Sequence, residues 1–137
     1  MTLLLGGCGG TAATKGPAVY AQLHPAHATT ALDVWRDSKG RYTFHSQGDT
    51  EVERYDPGIG SLTGFYNGKM AGGHQYECKR DVWRQIHMLY GVTQSEVFDA
   101  LASGSPSPEP VDFRLRDYDN ADPLGTSDYS FCGDYGP

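Results

Sequence analysis

The amino-acid sequence predicts an α+β fold: a small antiparallel β-meander, then a two-helix hairpin, with long extended N- and C-terminal arms. Three observations predict it. Turn residues recur about every ten residues between Leu32 and Tyr66, in the manner of successive short strands. The apolar period then lengthens from two to about 3.6 across Val82–Tyr90. Finally, 18 Gly and 8 Pro among 137 residues leave little chain for long elements.

Residues 1–30, rich in Gly, Ala and Thr and carrying Pro17 and Pro25, show no sustained period and read as an extended arm. The core is expected over 31–104. Leu32 and Val34 alternate with Asp33 and Trp35, Asp37-Ser38-Lys39-Gly40 supplies a turn, and Tyr42 and Phe44 alternate with Thr43 and His45. Gln47-Gly48-Asp49-Thr50 leads into Glu51–Tyr55, and Asp56-Pro57-Gly58-Ile59-Gly60 leads into Ser61–Tyr66, which makes four strands. Asn67-Gly68 and Gly72-Gly73 are expected to break the sheet. Val82, Trp83, Ile86, Leu89 and Tyr90 share one face of a helix over 79–90 that Gly91 ends. Thr93-Gln94-Ser95-Glu96 has capping-box spacing and opens a second helix with Val97, Phe98 and Leu101 on one side, closed by Gly104. Residues 105–137 form the second arm. Ser105-Pro106-Ser107-Pro108-Glu109-Pro110 is a stiff linker, and Val111, Phe113 and Leu115 then alternate with Asp112, Arg114 and Arg116 as a strand that seeks a sheet edge.

Composition limits the core. Leu, Ile, Val and Phe total 24 of 137 residues, under the roughly 20% below which chains tend to disorder. Two Trp and nine Tyr restore apolar area. The net charge of −6 is concentrated at the end, where residues 105–137 hold seven acids against two bases. An acidic chain without a Lys/Arg stripe lacks the electrostatic attraction that dominates nucleic-acid affinity, so nucleic acid is not an expected partner. No run approaches the roughly 18 apolar residues that cross a bilayer, and no membrane partner is expected. Cys8, Cys78 and Cys132, odd in number and widely spaced, suit free thiols and a reducing compartment.

Two stretches resemble functional families. Ile86–Leu101, spanning Gly91-Val92-Thr93, resembles a helix-turn-helix, which implies a DNA-binding regulator; its second helix, however, exposes Glu96 and Asp99 where a phosphate-lined groove favours bases. Gly40–Gln47, then Glu53, Tyr55 and Asp56, and later Leu62-Thr63-Gly64-Phe65, resemble the succession of short strands in the cytotoxic domain of colicin-type ribonucleases over about 25 residues. In that resemblance the family's catalytic acid falls at His45 and its catalytic histidine at Gly48. The acid/base chemistry it implies then rests on His45 with Glu51 or Glu53, provided that neighbouring strands bring them to one face.

Metal chemistry has candidates too. His24-x-x-His27 and His74-x-x-x-Cys78 offer nitrogen and sulfur ligands that together make up a zinc-like set of four. Asp117-x-Asp119-x-x-Asp122 begins like a calcium loop but lacks the glycine and the closing Glu, and reads as an acidic turn. No phosphate loop, dinucleotide fingerprint or nucleophile elbow is present, so no cofactor and no bound metal are expected. A thin core flanked by arms suits an assembly subunit better than an enzyme pocket. The expected function is therefore a non-enzymatic structural or interaction protein, such as a virion component, in a virion or the cytoplasm. Its partners are protein subunits of the same or a larger assembly, contacted through Val111, Phe113 and Leu115. The alternatives are a toxin-like nuclease using His45 with Glu51 or Glu53, and the helix-turn-helix regulator.

Overall fold

The computed structural model describes residues 18–66 and 69–108. These form one antiparallel sheet of seven strands covered on one face by two helices: β1 (Ala18–Leu23), β2 (Leu32–Arg36), β3 (Tyr42–Ser46), β4 (Glu51–Asp56), β5 (Ser61–Tyr66), β6 (Lys69–Gln75), α1 (Lys79–Tyr90), α2 (Gln94–Ala102) and β7 (Ser105–Ser107). The sheet order is β6-β5-β4-β3-β2-β1-β7, so β1 to β6 form a meander and the helix pair carries the chain back across the sheet to the far edge. That route puts both helices on one face.

The four expected strands are all present, and three more join them. Ala18–Leu23 is a strand paired with both β2 and β7, where composition alone reads an arm. Its Val19, Ala21 and Leu23 do alternate, but small residues weaken the signal. Gly72 and Gly73 lie inside β6 and do not interrupt the sheet. An edge strand tolerates them because it has one partner to satisfy, and a register shift opposite Gly64 and Phe65 absorbs the irregularity. Ser105–Ser107 is the short strand β7, which the extended backbone imposed around Pro106 suits well. The second arm, including Val111, Phe113 and Leu115, lies outside the described residues beyond Pro108, as do residues 1–17.

The helices match their sequence signals closely. Gly91 takes a left-handed φ of 73° and its N–H bonds the His87 carbonyl, a conformation costly for any residue with a Cβ. The Thr93–Glu96 capping box is complete: Thr93 Oγ1 accepts from the Glu96 N–H at 3.1 Å, and the Thr93 N–H donates to Glu96 Oε1 at 2.8 Å. Helix α2 stops at Ala102 with Ser103 as its cap, one residue short of the expected Gly104. Gly104 serves a different purpose, since a Cβ there would fall 2.5 Å from the Tyr20 carbonyl oxygen.

Trp83 is the centre of the core. Its ring meets Tyr42, Tyr55 and Phe98 edge-on at 5.6, 5.5 and 5.5 Å, and Val82, Ile86, Val97 and Leu101 complete the layer over Leu32, Val34 and Phe44. Edge-to-face pairs of this kind add about 0.5–1.5 kcal/mol each beyond area burial. Aromatic rings thus replace the aliphatic residues the chain lacks. No described helix is long and apolar enough to cross a membrane.

A candidate functional site between the sheet edge and helix α1

Cross-strand register sorts the candidate residues by face. Phe44 pairs with Glu53, Glu53 with Gly64 and Gly64 with Gly72, so these four share the helix-covered face. His45 follows Phe44 and pairs with Asp33, on the opposite face. The His45–Glu53 and His45–Glu51 pairs on which a nuclease would depend are therefore not assembled: a sheet's thickness separates them.

His45 instead belongs to a polar network. Its Nε2 donates to the Asp49 carbonyl at 2.8 Å and its Nδ1 lies 3.5 Å from Asp33 Oδ2. Asp33 also accepts from Tyr20 Oη at 2.6 Å, from Gln22 Nε2 at 3.2 Å and from Gln47 Nε2 at 3.3 Å. Burial works against the Asp33 carboxylate, but these donors outweigh it and hold its pKa below the ordinary aspartate value. The same contact raises the Tyr20 phenol pKa, after burial.

The helix-covered face is open at its β5–β6 end. There the sheet and α1 enclose a depression of about 560 Å³. Gly64, Gly72 and Gly73 form its floor, Gln85 and Leu89 of α1 one wall, and Glu51, Glu53, His74 and Tyr76 line it together with Leu62 and Ala71. Helix α1 is too short to reach further: its 12 residues run about 18 Å, whereas seven strands span roughly 29 Å.

Glycine at 64 determines where Glu51 goes. A Cβ on residue 64 would stand 2.7 Å from Glu51 Oε2, so the missing side chain is what lets the Glu51 carboxylate fold over the floor. Glu53 is fixed from above by Tyr90, whose Oη donates to Oε1 at 2.5 Å, while Tyr90 itself stacks on Phe44 at 5.4 Å. Burial pushes the Glu53 pKa above the ordinary glutamate value, the Tyr90 hydrogen bond opposes this, and Glu51 and Asp49 add to the rise. Burial and the adjoining Glu53 raise the Tyr90 phenol in turn, so it stays protonated as a donor. His74 packs against Tyr76 with ring centroids 4.7 Å apart and the planes tilted by 55°. The arrangement can seat a cation or exchange a proton through Glu53, and among the described residues no Lys or Arg lines it. Alternation alone singles out Glu51 and Glu53; Tyr90 and Gly64 join them only through tertiary packing.

The metal candidates do not converge. His24 and His27 are exposed on the β1–β2 loop, whose Pro25 lies beside Gly91 at the C-terminal end of α1. Cys78 caps the N-terminal end of the same helix, about 20 Å away along 13 residues of rise. Cys78 is also disulfide-bonded, which corrects the expectation of free thiols and removes it as a thiolate ligand. An odd number of cysteines leaves room for one bridge and one thiol. Among the described residues no group of three or more His, Cys, Asp or Glu is placed to hold a metal ion. Asp117, Asp119 and Asp122 lie outside the described residues. The helix pair that resembles a helix-turn-helix lies on the sheet, with Val97 and Leu101 buried and Glu96 and Asp99 exposed. Comparison with family models, with curated proteins and with solved structures finds no match to this chain.

Proposed function

We propose that the chain is a non-enzymatic interaction subunit of a larger assembly, a virion component being one such setting, and that it accepts an extended segment of a neighbouring protein along β6. The observation that carries this reading is the edge itself. Strand β6 runs for seven residues, Lys69 to Gln75, is exposed over most of its length, and pairs only with β5 among the described residues. A long open edge presents a row of N–H and C=O groups, which proteins ordinarily shorten, cover or use. The glycines at 72 and 73 remove side chains that would hold a partner off. The adjoining depression, with Glu51 and Glu53 and no Lys or Arg among the described residues, then favours a Lys or Arg side chain in the docked segment.

The test is binding of a randomised library of seven-residue peptides to the full chain, read by fluorescence polarisation, with a nuclease assay on the same sample. Extended peptides carrying a basic residue should bind, more weakly as salt rises. Proline at Gly73 and at His74 in turn should abolish binding in one case, because successive N–H groups alternate in direction and one of the two faces outward. Cleavage of RNA or DNA that falls about 100-fold or more in His45→Ala would overturn the reading in favour of a nuclease.

A further inference from the structure

Missing side chains open the way from the β6 edge into the depression. Gly72 on β6 pairs with Gly64 on β5, and Gly64 with Glu53 on β4, so two glycines lie between the edge and the carboxylates. A Cβ at Gly72 would meet nothing within 4 Å, which leaves open space over that position. Over Gly64 the space is taken by the folded-back Glu51 carboxylate. That carboxylate and Glu53 adjoin in a depression that no Lys or Arg lines among the described residues, and the two like charges repel. Lys69 shares the register row of Glu51 through Tyr66, but it lies outside the depression. Among the described residues no hydrogen bond or ion pair reaches the Glu51 side chain.

We propose that the segment docked on β6 sets an arginine opposite Gly72, its guanidinium passing over Gly72 to the Glu51 carboxylate above Gly64. This assignment rests on the edge-docking reading and names the residue that the edge selects. Alternation supports the position. A residue paired with Gly72 turns its side chain to the face of Gly64 and Glu53, whereas its two neighbours in the segment face away. Reach supports the residue. The docked strand and β5 are two interstrand steps apart, about 10 Å. An extended arginine carries its outer nitrogens about 7 Å from Cα, and a charge-assisted hydrogen bond adds about 2.8 Å. Lysine, one bond shorter, falls about 1 Å short and offers only a point charge. The planar fork of a guanidinium also suits two adjoining carboxylates, of which Glu53 is already held in place by Tyr90. Tyr76, in the same depression, supplies a ring on which a guanidinium can stack.

Fluorescence polarisation of the full chain with four seven-residue peptides tests the assignment. The peptides alternate Thr and Val and differ only at the central residue, which is Arg, Lys, Ala or citrulline, the neutral isostere of arginine. The arginine peptide should bind about tenfold more tightly than the citrulline peptide and several-fold more tightly than the lysine peptide. In Glu51→Gln that advantage over citrulline should shrink to about twofold or less, with the citrulline and alanine peptides unaffected. Gly64→Ala, which forces the Glu51 carboxylate off the floor, should do the same; should it unfold the chain, the exposed Glu51→Gln decides alone. In the bound arginine peptide, Overhauser contacts should run from the Gly72 α protons to the arginine side chain. Lysine binding as tightly as arginine, an arginine advantage that survives Glu51→Gln, or contacts from Lys69 or Gln75 in place of Gly72 overturns the assignment and leaves edge docking standing. Failure of all four peptides to bind overturns edge docking and the assignment together.

Discussion

Glu53 and Asp33 are partly or wholly buried carboxylates on opposite faces of the sheet, and their surroundings drive them in opposite directions. Glu53 is desolvated with Glu51 and Asp49 nearby and one donor, Tyr90, to offset them, so its pKa is raised. The folded state then binds that proton more tightly than the unfolded state does. Stability is lost as pH rises from the ordinary glutamate range through the folded value. Asp33 is desolvated too, but Tyr20, Gln22 and Gln47 donate to it and its pKa is lowered. It contributes stability above the ordinary aspartate value, and that contribution is lost as pH falls toward the folded value. Thermal melts across pH should therefore separate two conservative variants. Glu53→Gln keeps an acceptor for Tyr90 and removes the charge, so it should melt a few degrees higher than the parent at neutral pH and converge with it in acid. Asp33→Asn should melt lower at neutral pH and likewise converge in acid. A Glu53→Gln variant less stable than the parent at neutral pH would mean that a cation already compensates that carboxylate.

Among the elements, α2 shows how local chemistry and tertiary contact divide the task. Its start is specified by four residues, since the Thr93–Glu96 box satisfies two orphan donors reciprocally. Thr93→Ala should cost about 1 kcal/mol, within the 0.5–2 typical of a lost N-cap, measured as a shift in the denaturant midpoint without a change in slope. A change below a few tenths would mean the helix is held by packing alone. Elements with such local signals were legible in the sequence: the turns at Asp37–Gly40 and Asp56–Gly60, the stripe through Val82, Trp83 and Ile86, and the stop at Gly91. Strands β1, β6 and β7 were not. Ala18–Leu23 is one-third alanine, Gly72-Gly73 carries no side-chain pattern at all, and Ser105–Ser107 is too short to show a period; each is a strand because a neighbour supplies hydrogen bonds. The site divides the same way. Alternation put Glu51 and Glu53 together, but separating them from His45 required the register of β3 against β4. The contribution of Tyr90, 37 residues away from Glu53, is purely tertiary.

For the molecule as a whole, the unusual feature is a small aliphatic core under a sheet of seven strands, and a covalent tie compensates for part of that deficit. Cys78 sits at the N-cap of α1, next to the depression and far from both chain ends in sequence. The chain has two other cysteines, Cys8 and Cys132, so its bridge closes a loop of 71 or 55 residues. In the chain-entropy description, loops of either size restrict the unfolded state by about 4 kcal/mol. That is a large share of the roughly 5–15 kcal/mol by which domains are stable at all. Adding dithiothreitol should accordingly lower the melting temperature by ten degrees or more if the full amount is realised, since 1 kcal/mol shifts a domain of this size by roughly 3–6 °C. Cys78→Ser should reproduce the reduced melting curve and become indifferent to reductant. Peptide mapping under non-reducing conditions identifies the partner, and alanine at that cysteine should match Cys78→Ser while alanine at the remaining one leaves the melt unchanged. Identical melting with and without reductant, on a sample shown by mass to have held the bridge, would mean that the aromatic layer around Trp83 stabilises the fold without it.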